Sequence, residues 1–196
     1  SFDGGMLRNA IPREAEARVL VPEDRAREFK QVVDGCLGRI LREELAGVDD
    51  GLAWRVGPVK VEKAWSAADS RRLLDLLLGI PHGVLAMSRA VDGLVESSSN
   101  LGVVATDGNK VRIVCCSRSS VMSYLDNLVA SHAALGRQAD AVVEQPEGYP
   151  AWQPDPDSPL LKITQQEYSK LFGREPELLA IHAGLECGLL GAVYPD

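Results

Sequence analysis

The chain contains three histidines, His82, His132 and His182, as candidates for proton transfer or metal binding. None belongs to a His-x-Asp or His-Glu-x-x-His pattern, whereas a hydrolytic metal site needs several histidines and carboxylates that converge. We interpret His132, on an apolar helix face, as a core or interface residue, and His82 as structural within a turn. His182 lies near Gly184 and Glu186 in the sequence. His182 and Glu186 either support a site without touching the substrate, or they have a purely structural role.

Arg118 is a candidate anion-binding side chain. It follows the apolar run 111–116 and precedes a predicted helix, so its guanidinium could stand at the edge of a sheet. The planar guanidinium fork matches a carboxylate, which a lysine ammonium does not. The alternative is an ordinary surface arginine at a helix start. The serines around it lack the glycines of a nucleophile elbow, so no serine nucleophile is predicted here.

The stretch 4–15 offers a second polar group, the amide of Asn9. Gly4 and Gly5 permit a tight turn, because glycine adopts positive φ without steric cost. Pro12 removes a backbone donor and keeps Ile11 extended. Such a segment suits a strand end that presents Asn9 to a small polar ligand. The alternative is an ordinary hairpin with polar tips.

Composition excludes several classes of function for these 196 residues. Hydrophobic residues at 45% and charged residues at 25% are ordinary globular values. The net charge is −7 and no basic stripe is present, so neither nucleic acid nor an anionic membrane is an expected partner. The four cysteines form no C-x-x-C pair, which argues against a disulfide framework or a structural zinc site and favours a reducing cytoplasm.

The first part of the chain reads as strand, helix, strand and helix. Alternation predicts strands at 15–21 and 56–62, the second with Pro58 and so at an edge or bulged. A helix begins at Pro22 and carries a buried apolar stripe, formed by Phe29, Val32, Val33, Cys36, Leu37, Ile40, Leu41 and Leu45. Ser66 is the candidate N-cap of the next helix, with Asp69 three residues on.

Two hairpin strands follow, at 93–104 and 111–115, joined by an Asp-Gly turn at 106–109. A helix begins near Ser119 and a short strand is predicted at 140–144. This order contains a split βαβ pattern. It predicts an α+β, two-layer, ferredoxin-like fold, in which an antiparallel sheet carries helices on one face.

The composition changes at 145–150, and the proline-rich segment that follows predicts a linker or domain crossing. Beyond it we expect a helix at 159–172 closed by Gly173, a strand at 178–181, a glycine-containing turn and a short helix. Polar groups at the carboxyl end of such a strand are placed where open α/β sheets usually bind ligands.

Five motifs resemble one protein family. They are Gly-Gly-x-x-Arg-Asn-Ala-Ile-Pro-Arg-Glu-Ala at 4–15, Pro-His-Gly-Val with Met-Ser at 81–88, Leu-Val-Glu with Ser-Asn-Leu at 94–101, Ser-Arg-Ser-Ser at 117–120, and Ile-His-Ala-Gly-Leu-Glu-Cys-Gly at 181–188. In this order they closely resemble the bacterial aminoacyl-histidine (Xaa-His) dipeptidases, which are carnosinase-like zinc metallopeptidases.

The resemblance implies a cytoplasmic enzyme with two zinc ions that cleaves dipeptides with a C-terminal histidine. Such enzymes carry a lid or dimerisation domain inserted into a zinc-binding catalytic domain. By comparison, residues 1–149 resemble most of the lid, and 150–196 resemble a segment of the catalytic domain. The resemblance also implies a homodimer formed through the lid.

The resemblance implies roles for three residues. Asn9 and Arg118 resemble lid residues that bind the terminal carboxylate of the substrate, and Gly184 lines the pocket on the catalytic side. The zinc ligands, the glutamate that activates the zinc-bound water and the lid histidine of that family have no counterpart in this chain. We therefore expect no catalytic residue and no bound zinc in it, and expect it to be inactive alone. The competing hypothesis is a stand-alone ferredoxin-like module for binding or oligomerisation.

Overall fold

The computed structural model describes residues 1–61, 63–89, 91–148, 155, 157–178 and 186–194. Its strands are β1 (Phe2–Gly4), β2 (Ala15–Ala17), β3 (Gly83–Met87), β4 (Val95–Asp107) and β5 (Lys110–Ser119). Its helices are α1 (Ala26–Glu43), after a 3₁₀ turn at Glu23–Arg25, α2 (Ala67–Gly79), α3 (Met122–Gln138), α4 (Pro159–Phe172) and α5 (Glu186–Val193). The described strands pair antiparallel, which confirms the α+β class with an antiparallel sheet.

Strand β4 is the centre of the sheet. On one edge it pairs with β5 over ten register positions, from Ser97↔Ser119 to Asp107↔Lys110. The turn between them contains Gly108 at φ 58°, a left-handed conformation that glycine adopts freely. The Asp-Gly signal in the sequence therefore predicted this hairpin correctly.

The other edge of β4 is shared by two short strands. Strand β3 pairs with its first part, from Met87↔Val95 to Gly83↔Ser99. Strand β1 pairs with it at Gly4↔Val104, and β2 pairs with β1. Between Ser99 and Val104 neither described strand pairs with this edge of β4. We call this interval, residues 100–103, the β4 gap.

Helix α3 packs against one face of the sheet. Leu128, which is 4% exposed, lies on its inner side, and His132 of the same helix contacts Ser99 of β4. Helix α2 lies beside α3, where Gly79 approaches a methyl group of Leu135. The helices α2 and α3 and the sheet thus form the two layers that the sequence predicted.

Local signals set the helix ends as expected. Ser66 Oγ accepts a hydrogen bond of 3.0 Å from the backbone N–H of Asp69, which satisfies one free donor of the first turn of α2. Gly173 ends α4 in the left-handed region at φ 67°. Pro159 opens α4, as its lack of a donor allows.

The apolar stripe of α1 is not buried, contrary to expectation. No residue of α1 is buried, and Val32 is 57% exposed. Within the described residues α1 contacts the 3₁₀ turn before it, and Trp54 Nε1 donates to Asp34 Oδ1 at 3.0 Å. Periodicity predicted the helix correctly but could not say which surface covers its stripe.

The chain exposes far more surface than a compact monomer. Its accessible surface is 15311 Å², whereas a compact monomer of 21.1 kDa exposes about 9,000 Å². Three of the described hydrophobic residues, Ile80, Val103 and Leu128, are buried. Most of the apolar side chains therefore lie at surfaces that the described residues leave uncovered.

Three predicted strands differ from the structure. The strand expected at 15–21 ends at Ala17, and the residues at 56–61 and 141–144 are irregular. Alternation alone does not make a strand, because each segment also needs a partner edge. Pro58, which lacks an N–H donor, further weakens the second segment. The strand expected at 178–181 lies outside the described residues after Leu178, and none of the described helices has the length and apolar character of a membrane span.

Candidate functional site

Residues 7–10 form a turn, here called the Asn9 turn, that lies over the β4 gap. The amide of Ala10 donates to Leu7 O at 3.3 Å within the turn. From β4, Asn100 Nδ2 donates to Arg8 O at 2.9 Å and to Ala10 O at 2.8 Å. These two bonds bracket Asn9 on both sides. The side chain of Asn9 remains exposed, as a ligand-binding group requires.

The turn lies so close to β4 that two glycines are necessary. A Cβ on Gly102 would lie 2.7 Å from Arg8 O and 2.8 Å from Arg8 Cα. A Cβ on Gly5 would collide with Gly102 O, and Gly5 has φ 65°. Glycine at both positions thus permits the backbone of the turn to rest directly on the backbone of β4.

His82 occupies another part of the β4 gap. Its Nδ1 accepts a 3.0 Å hydrogen bond from the backbone N–H of Leu101. Because Nδ1 is the acceptor, the proton of the neutral ring is on Nε2. The imidazole thus satisfies an edge donor that a strand would otherwise pair, which agrees with the structural role expected for His82.

Arg118 lies in β5 and pairs in register with Ser98. It is half-buried. Side chains alternate between the faces of a strand, and Asn100 pairs in register with Cys116, two residues before Arg118. Asn100 and Arg118 therefore point to the same face. Since Asn100 holds the Asn9 turn, the structure brings the Asn9 turn and Arg118 to one side of the sheet.

The opposite face carries a buried serine network. Ser97 pairs with Ser119 at 2.8 Å and Ser99 with Ser117 at 3.2 Å between their hydroxyl oxygens. Ser97 and Ser99 are 0% and 2% exposed. These cross-strand pairs fix the register of β4 against β5 at the position of Arg118.

His132 completes this network from α3. Its Nδ1 lies 2.8 Å from Leu128 O, a carbonyl that can only accept, so Nδ1 carries the proton. Its Nε2 then accepts from the hydroxyl of Ser99, 3.3 Å away. His132 is half-buried and hydrogen-bonded through both ring nitrogens, which agrees with the expected core or interface residue. Because Ser99 is buried, this serine–histidine contact is closed to a substrate.

Asn9 and Arg118 are two of the many residues that line an open depression of about 2400 Å³, whose lining also includes residues of α2, α3 and α4. A pocket that encloses a small ligand usually measures roughly 300–1,000 Å³. The depression is therefore an open face, and a small substrate would need a further surface to enclose it.

The remaining predicted site residues lie in or near α5. His182 and Gly184 are outside the described residues. Glu186 is the first residue of α5 and is exposed. Among the described residues no group of three or more histidine, cysteine, aspartate or glutamate side chains could hold a metal ion.

Cys115 is a half-buried residue of β5. Burial, followed by the nearby Cys116, raises the pKa of its thiol to about 11. Because the thiolate is the nucleophile, Cys115 is a poor nucleophile near pH 7.

Comparison with known proteins places this chain beside dipeptidases. The cytosol non-specific dipeptidase of Escherichia coli (strain K12) is 41% identical over 196 residues, which are 100% of this chain and 40% of that protein. The crystal structure of an aminoacylhistidine dipeptidase from Vibrio alginolyticus matches with a TM-score of 0.91 at 34% identity, covering 99% of this chain and 40% of that one. No protein-family model matches the chain.

The chain is thus related along its whole length to part of a dipeptidase, and the resemblance drawn from the motifs is confirmed. It spans about two fifths of the length of these relatives. The aligned region includes the Asn9 turn and the β4–β5 hairpin, since it covers 100% of this chain in the sequence comparison.

We predict that native Cys115 reacts slowly with iodoacetamide. At pH 8.5 a pKa of about 11, against the ordinary 9.0, lowers the thiolate fraction on the order of 100-fold. Peptide mapping by mass spectrometry should show this ratio between the folded chain and the chain in urea. The contribution of Cys115 to stability should be full below pH 9.0 and lost as the pH rises towards about 11.

A small free thiol such as N-acetylcysteine is the control and should react at similar rates with and without urea. Equal rates for Cys115 in the folded and the unfolded chain would contradict its burial.

Proposed function

We propose that this chain forms part of a cytoplasmic zinc-dependent dipeptidase that hydrolyses dipeptides with a C-terminal histidine. Its proposed task is to hold the terminal carboxylate of the substrate. The whole-length relationship to a dipeptidase carries this proposal. The position of the Asn9 turn on the Arg118 face of the sheet supports it.

The two side chains have complementary chemistry for a carboxylate. The guanidinium of Arg118 offers a fixed positive charge and parallel N–H donors. The amide of Asn9 adds an uncharged donor from an exposed turn. Together they distinguish a free carboxylate from a neutral amide. Gly184, outside the described residues, is proposed to line the pocket on the side of the catalytic domain.

The described residues do not fit a zinc site. His132 uses both ring nitrogens in hydrogen bonds, and Nδ1 of His82 accepts from Leu101. In the part of the chain that the structure describes, no group of three or more histidine, cysteine, aspartate or glutamate side chains could hold a metal ion. We therefore propose that the two zinc ions of the dipeptidase are bound elsewhere in the enzyme.

In this arrangement residues 1–149 form most of the lid and residues 150–196 form a segment of the catalytic domain. The change of composition at 145–150 and the proline-rich segment after it support this division. His182 and Glu186 are proposed to support the site without touching the substrate.

The exposed stripe of α1 supports a further role in self-association. None of its residues within α1 is buried, and Phe29 and Val32 are 36% and 57% exposed. A monomer rarely leaves such a contiguous apolar face in water. We propose that a second copy of the chain covers it, as in a homodimer formed through the lid.

Replacement of Arg118 tests the proposed carboxylate grip. In the intact dipeptidase, meaning the longer enzyme that contains this chain, Arg118→Ala should lower kcat/KM for a free-acid dipeptide by about 30-fold. This is the effect of losing about 2 kcal/mol from a charged hydrogen-bonded contact. Arg118→Lys keeps the charge but not the fork, and should lose an intermediate amount.

The matched measurement uses the same dipeptides with an amidated C-terminus. Their kcat/KM should change by less than about threefold in both variants, since no carboxylate is present. If kcat/KM fell by the same factor for the free-acid and the amidated dipeptides, the proposal would be contradicted.

Zinc content tests the proposed location of the metal. The 196-residue chain purified alone should bind less than stoichiometric zinc at pH 7.5 and hydrolyse no Xaa-His dipeptide. Inductively coupled plasma analysis after dialysis measures the metal, with the intact dipeptidase as the positive control. One tightly bound zinc ion per chain would place the ligands within these residues instead.

Light scattering tests the proposed homodimer. The chain should have a mass near twice 21.1 kDa at tens of micromolar. Val32→Glu, on the stripe of α1, should shift it towards the monomer because it places a charge in the contact. Val142→Glu is the matched control, since Val142 is 92% exposed in an irregular segment. A monomeric wild-type chain would refute the dimer.

A further inference from the structure

We infer that Asn100 is a positioning residue that sets the place of Asn9 relative to Arg118. This inference rests on the proposed carboxylate-binding role of those two residues. Asn100 has no predicted role in the sequence, because it lies in the middle of a strand and its contacts are 90 and 92 residues away.

The hydrogen bonds of Asn100 are directed at the backbone on either side of Asn9. Its one amide nitrogen has two N–H donors, and both are used, one for Arg8 O and one for Ala10 O. Among the described hydrogen bonds, these are the ones that tie residues 8–10 to the sheet. The peptide groups that flank Asn9 are thus held, while its own side chain is left for a ligand.

The donors of Asn100 make the contact with the turn. Asn100 Nδ2 lies 2.9 Å from Arg8 O and 2.8 Å from Ala10 O. An aspartate at this position would have no N–H group to donate to either carbonyl.

Two features of the β4 gap permit the contact. Neither β1 nor β3 pairs with β4 here, and Gly102 has no Cβ to displace Arg8. Asn100 is therefore able to reach the turn directly from the strand.

The pairing of β4 with β5 also fixes the position of Arg118. Asn100 and Cys116 are register partners, and Arg118 is two residues further along β5 on the same face. The β4–β5 hairpin consequently sets the positions of both the Asn9 turn and Arg118. A carboxylate-binding pair needs such support, because a displacement of about 1 Å weakens binding of this kind.

The test is Asn100→Asp in the intact dipeptidase. Aspartate has nearly the same shape but no donors, and its oxygens would face two carbonyl oxygens. We expect kcat/KM for a free-acid dipeptide to fall at least tenfold and kcat/KM for its amide to change less than threefold. Asn109→Asp makes the same chemical change in the β4–β5 turn and should leave both values near wild type.

A double-mutant cycle shows whether Asn100 acts through Asn9. If it does, Asn9→Ala combined with Asn100→Asp should lose about as much as the larger single loss, because the effects are not independent. Gly102→Ala provides a second variant that moves the turn without removing a donor, and it should reproduce the same selective loss. Multiplicative losses in the cycle, or equal losses for acid and amide, would overturn the inference.

Two readouts separate this inference from the proposed function. Amide hydrogen exchange of Ala10 should accelerate in Asn100→Asp whether or not the turn binds substrate, because the turn is released from β4. If Asn9→Ala leaves the preference for free acid unchanged, the carboxylate role of Asn9 fails. If exchange at Ala10 stays unchanged in Asn100→Asp, the positioning role of Asn100 fails instead.

Discussion

The position of the Asn9 turn depends on the edge of β4 that β1 and β3 share. One strand of thirteen residues pairs with β5 along one side and with two short strands, β3 and β1, along the other. A continuous partner strand would satisfy every edge group of β4 but would leave no room for a turn. The β4 gap instead accepts a histidine ring at Leu101 and a backbone turn at Gly102. The Asn9 turn thereby rests on the sheet without being part of it.

The two faces of the β4–β5 hairpin have different roles. On the α3 side, serine pairs and His132 form a closed polar network that fixes register. On the other side, the same register determines where Asn100 and Arg118 project. An error of one position would exchange the two faces. The buried serines therefore contribute to the geometry of a site that they do not touch.

The sequence predicted those features that are encoded locally. The Asp-Gly hairpin, the Ser66 cap, the Gly173 helix end and the helical periods were all correct, since each depends on neighbours within a few residues. The strands at 56–61 and 141–144 were wrong because a strand depends on a partner edge elsewhere. Asn100 was missed because its partners are also distant in the sequence. The surface that covers the α1 stripe could not be predicted either, since it does not lie next to α1 in the sequence. Asn9 and Arg118 were selected by motif resemblance, and their roles stay predictions.

The long chain separation of the Asn9 turn has a consequence for its folding and motion. The β4–β5 hairpin closes a local loop, whereas the ties from Asn100 to the turn span 90 and 92 residues. Contacts between distant residues form late, because the loop entropy must be lost first. Held by few bonds and exposed to water, the turn also belongs to the parts of a protein that open at the lowest free-energy cost. We therefore expect the hairpin to stay folded while the turn detaches and returns, so that the proposed carboxylate-binding turn has its own opening equilibrium.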